Sequence, residues 1–231
     1  MKAHSESSLQ VIEDLARPTA HDALLDLETG VGDVACAFAG SVKSVEAVDD
    51  RPEMIDEAGR LAREMRVAGV AFRRADLYAL PFDDDAFSLV VCRNGLHRLP
   101  EPVAALREAA RVLSPGGRMV VFETQVSAVV DRSLNELARL REPAHRRYYR
   151  LDEYRELFAK AGLRVDEERE DRRTVDLDYW LDAAGVSDEH RGIVQSRLQE
   201  LPVKVQGAMD LAFADQLVSF SYDVVGFRLS H

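Results

Sequence analysis

Along the first half of the chain, short apolar runs alternate with helix-length amphipathic segments. The runs are ALLDL (23–27), SVEAVD (44–49), VAFRRAD (70–76), FSLVVC (87–92) and RMVVFE (118–123). Between them, 34–39, 52–66 and 102–113 carry helical patterns. Strands buried on both faces read as nearly continuous apolar stretches, and helix-length connections impose parallel pairing. The pattern therefore predicts an α/β fold, a doubly wound and mostly parallel sheet. Ahead of it, Leu9, Ile12, Leu15 and Ala16 share one face of a helix over 5–17, stopped by Pro18. Ser114-Pro115-Gly116-Gly117 predicts a tight turn into the fifth strand.

After residue 123 the rhythm changes. Residues 127–161 read as two helices around the joint REPAHRRYYR. A charged strand (163–171), helical segments around 179–184 and 189–201, and the alternating run SFSYDVVGFRLS follow. No stretch has the composition of a linker, so one domain is expected over 1–231. It comprises an N-terminal helix (1–21), a core (22–123) and a cover (124–231) whose two strands complete a seven-stranded sheet.

Composition narrows the partners. Of the 231 residues, 46% are hydrophobic and 31% charged, enough for both a core and a solvated surface. A net charge of −11 disfavours nucleic acid as partner, because gripping phosphates needs surplus Lys and Arg. No run approaches the roughly 18 apolar residues of a membrane span, and MKAHSESSLQ lacks the apolar core of a secretory signal. Cys36 and Cys92 lie in apolar runs without metal-ligand spacing, which reads as reduced core thiols of a cytoplasmic protein with no metal. The sequence sets no oligomeric state.

The break after the first strand carries the chemistry. In DLETGVGD (26–33) the glycines allow close backbone approach, and the following helix points unpaired N–H groups at an anionic group. Gly30-Val-Gly32-Asp-Val-Ala35 fits the dinucleotide fingerprint G-x-G-x-x-A, and Asp49 ends the second strand where a ribose diol is held. Taken alone, these residues leave a nicotinamide cofactor open.

The wider pattern points elsewhere. Asp26-x-Glu28-x-Gly30-x-Gly32, AVDDRPEMIDEA (47–58), RADLYALPFDDDAFSLVVCRNGLHRLPEP (74–102) and ALREAARVLSPGGRMVVFE (105–123) occur in order. Together they closely resemble class I S-adenosylmethionine-dependent methyltransferases, within the bacterial small-molecule branch that includes the ubiquinone/menaquinone C-methyltransferases. The resemblance implies a Rossmann-like methyltransferase fold, S-adenosylmethionine as cofactor and a small-molecule methyl acceptor. It places Asp26, Thr29, Gly30 and Gly32 beside the cofactor's methionine half and Asp49 on the ribose. Asp76 and the Leu77 backbone fall at the adenine, and Arg93 and Asn94 near the sulfonium. Each carboxylate also has a plainer reading as a turn or cap residue. Glu28 stands where relatives keep glycine or alanine, Asp50 where they put an apolar residue against the adenine, and Ser88 where an Asp is common. These departures keep a second reading open: a protein of this fold that binds a ligand or regulates, without methylating.

Methyl transfer needs alignment of the acceptor and, for a hydroxyl or carbon acid, removal of a proton. His97, after the fourth strand, is the best-placed base, and His145, in PAHRRYY, is the second. Against these stand a packed loop histidine and a surface joint residue. The cluster Arg139, Arg141, Arg146, Arg147 and Arg150 reads either as a grip for an anionic substrate or as a solvated face paired with acids such as Glu136 and Glu142.

Overall fold

A computed structural model describes residues 2–214 and 217–231 of the chain, with side chains from Ser8 onward. Five strands run parallel: β1 (Ala23–Leu27), β2 (Ser44–Asp49), β3 (Val70–Arg74), β4 (Phe87–Arg93) and β5 (Leu113–Gln125). Two longer strands, β6 (Arg164–Asp176) and β8 (Leu217–Ser230), extend the sheet antiparallel, giving the order β3-β2-β1-β4-β5-β8-β6. This is the doubly wound architecture that the apolar runs anticipated.

Alternation along the strands builds the two faces. Leu24, Leu89 and Val91 pack with Ile12 and Leu15 of α1 (Lys2–Ala16) and with Val34 and Phe38 of α2 (Asp33–Phe38). Their neighbours Leu25, Val90 and Cys92 point the other way. They join Leu106 and Ala109 of α4 (Pro102–Val112) and Tyr154 and Phe158 of α6 (Leu151–Ala161). Burying each such side chain contributes about 1.5–3 kcal/mol, so both faces of the central strands stabilise the sheet. The strand order reverses between β1 and β4, which opens a crevice at the carboxyl ends of the central strands. α3 (Pro52–Glu64) follows β2 and frames one side of that crevice.

The cover has its own apolar cluster. Leu134 and Leu137 of α5 (Asp131–Arg141), Trp180 and Leu181 of α7 (Leu177–Asp182), and Val194 and Leu198 of α8 (Asp188–Gln199) close over Val126 and Phe220. Three features differ from the sequence expectation. β6 runs on to Asp176 rather than ending at 171, because β8 pairs with it from Ser230 back to Ser219. A short helix, α9 (Val203–Ala208), and a three-residue strand, β7 (Ala212–Ala214), lie where no element was expected. β7 pairs only with β8, so the sheet has eight strands instead of seven. Residues 114–117, expected as a tight turn before the fifth strand, lie within β5 as an irregularity in its pairing: Phe87 pairs with Leu113 and Leu89 with Arg118. Among the described residues, no helix is long and apolar enough to cross a membrane.

Candidate functional site

The glycine loop joins the end of β1 to α2 and is fixed from below by Asp26. This residue is 1% exposed, and its Oδ2 accepts from Thr29 Oγ1 (2.6 Å) and from Ala35 N (3.2 Å). Burial pushes its carboxyl up to about 7, against those hydrogen bonds and the pull of Arg93. Asp26 thus shapes the loop from beneath. Gly30 (φ +56°) lies open above it, with no atom within 4 Å of where a Cβ would stand. Gly32 is different: at φ +85°, a Cβ there would sit 3.0 Å from the Ala58 Cβ and 3.2 Å from the Phe72 ring. Gly32→Ala is therefore expected to force the loop away from α3 and cost about 1–3 kcal/mol, read as a lowered unfolding midpoint in urea.

Asp49 ends β2 completely buried. Its Oδ2 accepts from Gly30 N (3.0 Å) and Arg51 Nη2 (3.0 Å), and its Oδ1 from Arg51 N (3.1 Å) and Nε (2.9 Å). The carboxylate of Glu28, 4% exposed, lies 3.9 Å from Arg51 and pairs closely with Arg98. Arg98 reaches on to Glu142 at 3.5 Å. Glu28, Asp49 and Asp50 come together as three carboxylates, with the Arg51 guanidinium among them supplying the positive charge. Burial raises the Glu28 carboxyl and Asp49 adds to the rise, while Arg98 and Arg51 oppose it. Asp50 itself is exposed.

The remaining residues expected at the cofactor lie at or just past the carboxyl ends of β3 and β4. Asp76 is exposed just past β3 and accepts from Tyr78 N at 2.9 Å, while Leu77 is buried in the core. Arg93 pairs with Asp33 at the start of α2 (2.9 Å). Asn94 adopts φ +53° and donates its backbone N–H to Phe122 O (2.8 Å), turning the chain out of β4. Ser88 bonds Asp22 beneath the sheet (2.7 Å), away from this edge.

Both predicted histidines are buried and face one another, with ring centroids 5.5 Å apart. His97 sits in a short 3₁₀ turn (Leu96–Arg98) after β4. Its Nδ1 is 3.1 Å from Glu123 Oε2 and its Nε2 3.6 Å from Glu142 Oε2. The other Glu123 oxygen accepts from Leu96 N (2.7 Å), fixing the carboxylate. Burial would lower the imidazole's affinity for a proton, but Glu123 and Glu142 outweigh it and the net shift is upward. Glu142 is correspondingly held down at about 2: burial opposes this, and His97 and Arg98 prevail. His145 goes the other way, to about 3, through burial and the nearby positive charge of His97. The surface reading of His145 does not hold. Its loop, which joins α5 to α6, folds inward because Arg146 N and Arg147 N both donate to His97 O (2.8 and 3.1 Å).

An NMR titration should place the His97 midpoint above 6.5, and Glu123→Gln should lower it, because a carboxylate that stabilises the imidazolium is gone. The His97 contribution to stability is complete below pH 6.5 and is lost as pH rises through the folded-state midpoint. A midpoint unmoved by Glu123→Gln would break the pairing.

Most of the arginine cluster is spent on acids and aromatic rings. Arg147 pairs with Asp131 (3.0 Å) and Glu153 (2.9 Å), Arg150 pairs with Asp152 (3.3 Å), and Arg141 lies 4.8 Å over the Trp180 ring. Sequence reasoning missed Arg51, Arg98 and Glu123 as members of the site. Only the last had a signal: a Glu ending an apolar strand run.

This crevice agrees with what the chain matches. Residues 25–121 match the family model described as a methyltransferase domain. The chain is 32% identical over 178 residues to the uncharacterized methyltransferase YcgJ of Bacillus subtilis, covering 76% of this chain and 70% of that one. This chain belongs to the methyltransferase family. A demethylmenaquinone methyltransferase of Clavibacter sepedonicus is 34% identical over 182 residues, covering 76% and 70% of the two chains. The crystal structure of B. subtilis YcgJ superposes with a TM-score of 0.90 at 27% identity, covering 97% of each chain. The fold, the S-adenosylmethionine cofactor and enzymatic methylation of a small molecule, as expected from the sequence, all stand.

Proposed function

We propose that this methyltransferase binds S-adenosylmethionine over the loop Thr29–Gly32 and methylates a small acceptor held between that loop and the cover. The observation that carries the reading is the open space at Gly30, whose backbone N–H is bound by Asp49 at the end of β2 and whose loop is tied through Glu28 to Arg98. The residues fit the cofactor. Gly30 leaves room, Asp49 supplies two acceptor oxygens for a ribose diol once Arg51 swings off, and Asp76 offers an exposed carboxylate for an adenine amino group. Arg51 is 31% exposed, so its displacement breaches no core. Glu28 does not repel the carboxylate of the cofactor's methionine half, because Arg98 and Arg51 already balance its charge.

The bound cofactor supplies an activated methyl group on a sulfonium. The chain's own part is to bind, orient and accept a proton. In this reading His97 is the proton acceptor, steadied by Glu123 and competent only when neutral, so turnover rises with pH through its raised midpoint. Asp26, Arg93 and Asn94 hold the loop and the end of β4 in place. We further propose that 1–231 works as one domain in the cytoplasm, without nucleic acid or membrane as partner. The net charge of −11 and the sharing of β8 between the core and cover clusters support this.

Calorimetric titration with S-adenosylmethionine and S-adenosylhomocysteine, with NAD as control, tests the reading. Micromolar binding of both sulfur compounds and none of NAD is expected. If wild type fails to bind and Glu28→Gly recovers binding, the loop is closed to the cofactor and a non-methylating role replaces this one.

A further inference from the structure

The tautomer of His145 is fixed by the amide beside it. Asn135, 3% exposed, spends its Nδ2 hydrogens on Asp131 O (2.9 Å), Asp131 Oδ1 (3.0 Å) and Tyr148 O (3.1 Å). All three are acceptors, so that atom is the nitrogen and its partner Oδ1 is the oxygen. This Oδ1 accepts from Tyr148 N (2.7 Å) and lies 2.9 Å from His145 Nε2. An oxygen at that distance requires hydrogen on Nε2. A neutral imidazole carries one such hydrogen, so Nδ1 presents a lone pair.

That lone pair is buried and has no hydrogen-bond partner among the described residues. An unmet buried acceptor costs about 1–3 kcal/mol, and folded proteins rarely keep one without use. Protonating Nδ1 would not resolve it. The N–H so formed would also lack a partner, and His97, Arg139 and Arg141 around it disfavour added charge, with Glu142 alone opposing them. The ring stands 4.4 Å from the Tyr148 ring and 5.5 Å from the His97 ring, whose Nε2 lies 3.6 Å from Glu142 Oε2.

We propose that His145 Nδ1 receives a hydrogen bond from the methyl acceptor, so that the acceptor belongs to the class of small molecules bearing a hydroxyl or amine N–H at or next to the reacting atom. This rests on the reading above, in which His97, whose ring faces that of His145, takes a proton from the acceptor. His145 orients that group and does not keep its proton; His97 is the proton acceptor. A fully substituted amine or an ether has no hydrogen to offer and is excluded as a substrate. The methylated product of a simple hydroxyl loses this anchor, which favours its departure.

The test uses the full chain labelled with [¹⁵N]histidine and saturated with S-adenosylhomocysteine. Long-range ¹H–¹⁵N spectra should show His145 as the Nε2–H tautomer, with an unprotonated Nδ1. Phenol and aniline should move the Nδ1 resonance upfield, whereas anisole and N,N-dimethylaniline, which keep the ring and lose the donor, should not. His145→Phe should weaken phenol binding about tenfold, the loss of one hydrogen bond, with the affinity for S-adenosylhomocysteine unchanged. The proposal is overturned by an Nδ1–H tautomer, by equal shifts from phenol and anisole, or by no shift with either donor. The wild-type spectra decide this even if His145→Phe does not fold. Failure of wild type to bind S-adenosylhomocysteine overturns the methyl-transfer reading instead; binding with an unresponsive Nδ1 overturns only the role of His145.

Discussion

Asp49→Asn is expected to weaken S-adenosylhomocysteine binding by about 100-fold, while Arg51→Met strengthens it by up to about fivefold. Both effects come from one carboxylate. In the free protein all four hydrogen bonds to Asp49 come from Gly30 and Arg51. A ribose diol can take its place there only by displacing the guanidinium, which is 31% exposed and can turn to water, so that its competition is worth up to about 1 kcal/mol. Removing the side chain of Arg51 removes that competition and leaves the acceptor intact. Asparagine at 49 instead keeps one acceptor and turns an NH₂ toward other donors. Two charge-assisted hydrogen bonds are worth about 1.5–3 kcal/mol each, and a net loss of about 3 kcal/mol is about 100-fold in affinity. Calorimetry on both variants, with thermal melts to confirm folding, checks the pair. Equal affinities for Asp49→Asn and wild type would remove Asp49 from the ribose. Weaker binding by Arg51→Met would make Arg51 part of the ligand site rather than its competitor.

The sheet was legible because its strands are buried on both faces, so β1 and β2 have the ends that their apolar runs define. The glycine loop was legible for the related reason that a positive φ at Gly32, with Ala58 against it, leaves few residue types possible. What escaped was set by pairing in space. β6 is legible as a charged strand only as far as 171; it runs on to Asp176 because β8 keeps supplying its hydrogen bonds, while its charges EEREDRR suit an outer edge. Likewise nothing in NGLHRLPEP says that Arg98 will meet a glutamate 70 residues earlier, or that His97 will lie between Glu123 and Glu142. The position of Glu28 looked like an obstacle in the sequence. In the fold it is one end of an ion pair, and its strangeness and that of Arg98 explain each other. His145 illustrates the opposite error. A histidine among arginines suggests solvent, but backbone hydrogen bonds from Arg146 and Arg147 to His97 O turn it inward.

That pairing yields the largest expected loss of stability. Arg98→Met should lower the melting temperature by about 6–20 °C, and Glu28→Gln/Arg98→Met should recover most of it. Breaking a buried ion pair by removing one partner costs about 3–5 kcal/mol, because the other charge is left uncompensated. For a chain of this length each kcal/mol is about 2–4 °C. Glu28 is 4% exposed and lies near buried Asp49, so without Arg98 it has only the distant edge of Arg51 to offset its charge. Its carboxyl, already raised by burial, rises further. The penalty is then absent below the unfolded value near 4.5 and grows as pH climbs through the higher folded value. The variant should therefore melt closest to wild type in acid, and the double variant should lose that pH dependence. Melting curves between pH 4 and 8 separate this from simple loss of packing, which would be the same at every pH and would not be relieved by Glu28→Gln. An Arg98→Met protein that melts with wild type at pH 7 would mean that Glu28 is carried neutral, and that the ion pair does not hold the loop against the turn after β4.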